Sequence, residues 1–414
     1  MGPFGMRGQG RGWTGYRWNG GTAHTVASSF DSAPQSRSPA HPGSYTSPMA
    51  SPDRVRLIVL FGGQSAEHEV SCVSAYHVLR AVDPQRYELE AIGITREGDW
   101  VRADDALAAL RAGAEALPSA APAAQHLEAV GTQVEPLPTV RPAAGDDLPV
   151  VVLPLLHGTN GEDGTVQGML ELAGVPFVGA GVLGSALCMD KLKAKDVLAA
   201  HGLPQVPWLG LRDGELDHVV ERAAAAGLTF PMFVKPANLG SSVGVSRATD
   251  AAELVAACAT ALQYDEWIVV EQGVSAREIE VAVLGNANPR ASVPGEVVPT
   301  HDFYDYEDKY LDGAADLVIP AELPDEVTAG ARRLAVEAFT TLRCDGMARV
   351  DFFYEENGRG LLINELNTIP GFTPISMYPK LWEASGLPYP ELVDELVALA
   401  IERHERRSRF STKR

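Results

Sequence analysis

Arg349, Asp351, Glu365 and Asn367 form two i, i+2 pairs in the stretch RVDFFYEENGRGLLINELN, where two strand-like runs flank a turn containing Asn357 and Gly358. Alternate residues of a strand share a face, so Arg349 points with Asp351 and Glu365 with Asn367. Two carboxylates and an amide are hard oxygen donors. They suit Mg²⁺, which takes one or two carboxylates and fills its other positions with phosphate oxygens and water. The hairpin therefore reads as a magnesium–nucleotide platform, the alternative being a solvated face that happens to carry charge. Convergence imposes a parity condition. A two-residue Asn357-Gly358 turn would pair Asp351 with Asn364 and send Glu365 to the opposite face, so the site requires an odd-length loop or a bulge.

A polyanion needs cations, and three lysines are candidates. Lys235 ends the strand-like FPMFVKP and leads into the glycine-rich loop Asn238 to Gly244, whose Ser241 and Ser242 add hydroxyl donors suited to covering phosphates. The order differs from a Walker A loop, and a plain hairpin loop is the competing reading. Lys191 in MDK and Lys309 in DYEDKY complete the set. Elsewhere, GGQSAEHEVS joins a strand to a helix start, where Glu67 and Glu69 would repel phosphate; they suit either helix capping or a substrate ammonium. His157 ends a buried strand, where α/β sheets place ligands, although a lone His there is more often structural than catalytic. The aromatic and acidic THDFYDYEDKYLDGA, within residues 300–320, reads as a mobile lid or an ordinary surface loop.

The elements that must position these groups belong to a chain of 414 residues, long enough for two or three domains, with 45% hydrophobic and 21% charged residues. Apolar runs fall short of a membrane span. A formal charge of −20 and pI near 4.9 argue against a nucleic-acid partner and require any phosphate site to be a local cationic pocket. Cys72, Cys188, Cys258 and Cys344 lack metal or redox spacing and read as reduced cytosolic thiols. Residues 1–53, rich in Gly, Ser, Pro and Arg, read as a disordered extension, dispensable ahead of Met49; a weak basic arm or a transit peptide are the other readings. An α/β domain follows over 54–179, with an Ala- and Pro-rich stretch at 103–148 expected as a helix and loose excursion without chemistry. Residues 180–271 form a second unit and 272–414 a third.

With GGQSAEHEVS, HGTNGEDGTVQGMLEL, MDK, VKPANLGSSVGVS, FYDYEDKY, ARVDFF and NELNTIPGFTPISMYP in that order, the chain resembles the D-alanine–D-alanine ligase family of the ATP-grasp superfamily from about residue 55 onward. The tail and the 103–148 stretch inherit nothing from the match. The resemblance implies a multi-domain α/β and α+β architecture, in which an N-terminal parallel α/β domain precedes two domains that hold ATP between antiparallel sheets. It implies nucleotide binding by Lys191, Lys235, Ser242, Glu271, Glu278 and Lys309, with Glu271 at the adenine or ribose end. Two Mg²⁺ ions, replaceable by Mn²⁺, would sit on Asp351, Glu365 and Asn367, with Glu365 bridging. Glu67 is implied near the first D-alanine's ammonium, linked through Ser241 and Tyr310. Arg349 and the Gly371 amide would stabilise an oxyanion, while His157, Ser376 and Met377 would bind substrate. A cytoplasmic homodimer acting in peptidoglycan synthesis is likewise implied. The chain departs from some relatives at Gln272-Gly273-Val274, where an aromatic is missing, and Tyr310 favours a dipeptide over a D-alanyl-D-lactate product.

Overall fold

The computed structural model describes residues 54–103, 129–142, 145, 148–298 and 316–411. The tail, residues 104–128 and residues 299–315, which include Lys309, Tyr310 and most of the stretch expected as a lid, lie outside them. Three sheets organise the rest. The first has the order β4-β3-β2-β1-β5, from β1 (Val55–Gly62), β2 (Tyr87–Ile94), β3 (Trp100–Arg102), β4 (Thr132–Gln133) and β5 (Val150–Pro154). Strands β1 and β5 are nearly continuous apolar runs because both their faces are covered, as parallel pairing requires. The parallel pairing of β2, β1 and β5 is the expected one, and the sheet adds a short edge of opposite sense. β3 and β4 run antiparallel at one edge, a short reversal needing no crossover helix. The described end of the 103–148 stretch is also not loose. β4 completes that edge, and the helix Pro136–Val140 buries Val140 against Val166 and Leu170.

The second sheet, ordered β6-β9-β7-β8, is antiparallel and comprises β6 (Trp208–Arg212), β7 (Met232–Pro236), β8 (Ser246–Ala248) and β9 (Trp267–Gln272). The third runs β13-β12-β10-β14-β15, with β10 (Arg277–Gly285), β11 (Arg290–Ala291) beside β10, β12 (Gly295–Val298), β13 (Asp316–Val318), β14 (Gly346–Glu355) and β15 (Gly360–Asn367). It too is antiparallel. Along β14, Val350, Phe352 and Tyr354 bury against the helix Asp325–Thr341, which meets them with Ala331, Ala335, Ala338 and Phe339 at helical spacing. Arg349, Asp351 and Phe353 point the other way. The helices Val182–Met189 and Lys191–Ala200 pack on this third core through Cys188, Ala194 and Leu198.

The parity condition is met by a bulge. Near the turn the register is Glu355 opposite Gly360 and Phe352 opposite Ile363, as an Asn-Gly turn would give; beyond it, Asp351 faces Glu365 and Arg349 faces Asn367. Asn364 is the extra residue. Two neighbouring half-exposed positions, Asn364 and Glu365, interrupt the burial alternation there. Phe352, 1% exposed and set beside the bulge, carries the core under this register. Phe352→Ala should lower the unfolding free energy by about 3–5 kcal/mol in denaturant titration.

Candidate functional site

Glu67 is placed by a knot of hydrogen bonds at the end of the first sheet. Ser71 Oγ accepts from Gly62 N at 2.7 Å and donates to Leu155 O at 2.5 Å, tying β1, the chain after β5 and the helix His68–Ala81 together. Gly62 is required there: its φ is +87°, and a Cβ would lie 2.3 Å from Ile94 O. Glu67 starts the helix but its side chain makes no capping bond. Instead its carboxylate lies against the glycine-rich loop, with Oε2 3.3 Å from where a Cβ on Gly240 would sit and 3.5 Å from one on Gly158. That contact removes the capping alternative. Glu69 pairs with Arg96 on the surface.

The loop from Asn238 is held open by left-handed Ser241 and Ser242, with φ of 50° and 59°. Ser241 Oγ is buried and has no hydrogen-bond partner among the described residues. His157, 5% exposed, donates from Nδ1 to Ile369 O at 2.9 Å, while its buried Nε2 has no partner among the described residues. Burial lowers its pKa, against the pull of Glu67 and the Ile369 bond, so the ring is neutral near pH 7 and Nε2 accepts. The carbonyl O of Ile369 fixes that tautomer. Glu162, in the same loop, accepts from Gly158 N at 2.9 Å, and burial together with Glu67 pushes its carboxyl up to about 8.

On the hairpin, Asp351 accepts from Arg349 Nε and Nη2 at 2.7 Å each and from Asn367 Nδ2 at 2.9 Å. Arg349 Nε also lies 2.9 Å from Glu280, which stands opposite Asp351 on β10. Lys191 Nζ donates to Leu239 O at 2.6 Å and sits 3.7 Å from Glu365. Lys235 Nζ is 3.5 Å from Asn364 Oδ1, so the bulged residue meets the second sheet's lysine. Beside it, Ile363 N donates at 2.8 Å to Pro204 O, in the segment that leads into the second sheet. Asp351, Glu365 and Asn367 thus form an open oxygen set that fits Mg²⁺ completed by phosphate. Among the described residues, no three His, Cys, Asp or Glu side chains make a closed metal cage.

Glu271, implied at the adenine or ribose end, lies between two lysines. Its side chain is buried, with Oε1 2.7 Å from Lys195 Nζ and Oε2 2.7 Å from Lys235 Nζ. Burial would raise this carboxyl, but the two lysines outweigh it and hold the pKa near about 2. Burial works against the Lys235 ammonium too, yet Glu271, Glu365 and Glu278 keep it above the ordinary lysine value. Met377 opens the helix that follows the hairpin. Its side chain is buried in the core with Tyr378 and Leu381, so only the backbone N–H at the start of the helix Met377–Ala384 can face a ligand. Ser376 Oγ accepts from Thr373 N at 3.2 Å, and a side chain on Gly371 would press it at 3.0 Å. Lys195, Glu280, Glu162 and Asn364 are the site residues that sequence reasoning missed. Of these only Lys195, one turn after Lys191, carried a helical-spacing signal.

Two antiparallel sheets, one carrying Lys235 beside the helix of Lys191 and Lys195 and the other a carboxylate–amide hairpin, define an ATP-grasp ligase. Family models described as "D-ala D-ala ligase N-terminus" and "D-ala D-ala ligase C-terminus" match residues 56–180 and 197–398. The D-alanine–D-alanine ligase of Ruminiclostridium cellulolyticum is 48% identical over 84% of this chain and 96% of its own length. That of Thermoanaerobacter sp. (strain X514) is 45% identical over 86% and 99%. The solved D-alanine-D-alanine ligase of Coxiella burnetii superposes with TM-score 0.70 at 37% identity, over 86% of this chain and 97% of that one. The VanG D-Ala:D-Ser ligase of Enterococcus faecalis gives 0.71 at 32%, over 84% and 99%. The chain belongs to the D-alanine–D-alanine ligase family.

Glu162 yields a pH prediction. With its pKa raised from 4.5 to about 8 in the folded state, its stabilising share is complete below about pH 4.5 and lost as pH rises through about 8. In Glu162→Gln that loss is removed. The melting temperature of the variant relative to the parent should therefore climb between pH 5 and 9, and a flat difference would show an unperturbed carboxyl.

Proposed function

We propose that this protein joins two D-alanine molecules into D-alanyl-D-alanine with conversion of ATP to ADP and phosphate, supplying a peptidoglycan precursor. The observation that carries this reading is the single face on which Arg349, Asp351, Glu365 and Asn367 meet, next to Lys191 and Lys235. A carboxylate and an ammonium form a salt at neutral pH, so the acid must first be activated. ATP supplies that activation by phosphorylating the first D-alanine's carboxylate; the second amine, once deprotonated, attacks the carbonyl and expels phosphate.

In this reading Glu67 takes the first ammonium, while Ser241 and Tyr310 complete a hydrogen-bonded link to it. His157, Ser376 and the Met377 amide bind substrate. Lys191, Lys235, Ser242, Glu278 and Lys309 serve the nucleotide. Arg349, preset by Glu280, and the Gly371 amide stabilise the tetrahedral oxyanion, a role in which one donor contributes about 3 kcal/mol. Asp351, Glu365 and Asn367 would hold two Mg²⁺ ions, or Mn²⁺, which when bound neutralise charge on the transferring phosphate. Closure of the 300–320 lid would keep water from the acyl phosphate. Tyr310 favours D-alanine as second substrate. The domains divide at 54–179, 180–271 and 272–414, and the protein works as a cytoplasmic homodimer. No described helix is long and apolar enough to cross a membrane.

Phosphate release from Mg-ATP should depend on D-alanine and yield D-alanyl-D-alanine. Release that is equal without an amino acid would sink the ligase reading. A product containing D-serine or D-lactate, formed in preference from mixtures with D-alanine, would overturn only the second substrate. Arg349→Met should lower kcat by about 10²–10³ while leaving ADP affinity within a few-fold.

A further inference from the structure

Three side chains at the floor of the cleft hold an unusual balance. Lys195 is 2% exposed and Glu271 3% exposed, and the carboxylate is divided between Lys195 and Lys235 at 2.7 Å each. Two ammonium groups share one carboxylate, leaving one positive charge in excess. Buried charge is stable only when paired, so an excess of this kind calls for an anion. Of the two lysines, Lys235 is the more exposed, its side chain 14% accessible against 2% for Lys195. Glu278 and Glu365 also attract Lys235, but both are partly exposed and more strongly screened by solvent.

We propose that Lys195 is a positioning residue for anion binding: by occupying one oxygen of Glu271 from within the core, it keeps the excess charge at Lys235, where a phosphate can reach it. Without Lys195, Glu271 and Lys235 would neutralise each other as a closed pair. Lys195 never touches the ligand in this scheme. It acts through Glu271, while one turn earlier its helix, Lys191–Ala200, brings Lys191 to Glu365. The inference rests on the nucleotide reading and adds the source of the site's charge.

Calorimetry with ADP and with tripolyphosphate, which lacks adenine and ribose, tests it without reference to turnover. Lys195→Met should weaken both by a similar factor, about ten- to a hundred-fold. Lys195→Arg, which keeps the charge, should stay within a few-fold of the parent. The double variant Lys195→Met/Glu271→Gln restores a single positive charge at Lys235, and should recover tripolyphosphate affinity to within a few-fold even if the single Met variant does not fold. Unchanged binding in a folded Lys195→Met protein, loss confined to ADP, or a double variant that stays weak would overturn the proposal. If the parent protein binds no adenine nucleotide, the nucleotide reading fails instead.

Discussion

On β15 the chain carries one residue more than β14 can pair, and the bulge at Asn364 turns two unrelated patterns of polar side chains into one face. Up to Ile363 the hairpin follows the register of its Asn-Gly turn; past Asn364 every pairing is displaced by one, so that Asp351 meets Glu365 and Arg349 meets Asn367. A one-residue slip sends a side chain to the opposite face of a sheet. The bulge forfeits ladder pairing, and its neighbours offset this: Pro204 O takes the Ile363 N–H, and Lys235 approaches Asn364 Oδ1. Both partners come from the segment that carries the second sheet, so the irregularity that sets the carboxylates also joins the two halves of the cleft.

The same cleft resolves a conflict in charge. A protein of formal charge −20 would repel a triphosphate at long range, so binding depends on cations with their neighbours arranged at short range. Lys191 and Lys235 do not stand isolated; each is held by an acceptor that fixes its head, Leu239 O for one and Glu271 for the other. Preset charges of this kind lose little freedom when a ligand arrives. Arg349 is held similarly between Asp351 and Glu280, on adjacent strands.

Local chemistry made much of this legible in the sequence. The apolar run of β1, the alternation of β14 and the order of the motifs each reflect interactions within a few residues or within one strand pair. The need for an odd-length loop or a bulge followed from parity alone, although its position at Asn364 did not, because Pro204 and Lys235 lie far away in the chain. Lys195 escaped notice for the same reason: its partner Glu271 is on a different element. The antiparallel edge of the first sheet was missed because β3 and β4 are only three and two residues long, too short for a periodic signal. The burial of the Met377 side chain was not legible either, because the core that takes it up is assembled from elements distant in the chain.

The account turns on the register of one hairpin, and cysteine pairs report register directly. Residues facing each other in an antiparallel pair bring their Cα atoms to about 4.5–5.5 Å, within reach of a disulfide. The four native cysteines are buried, and because Cys188 and Cys344 bring their sulfurs to 3.4 Å, each pair is compared with the parent protein oxidised alongside it. Mild oxidation of Asp351→Cys/Glu365→Cys should remove two free thiols, whereas Asp351→Cys/Asn364→Cys should keep them. Cross-linking of the 351/364 pair in preference to 351/365 would mean an unbulged hairpin, and the shared face on which the site is built would not exist.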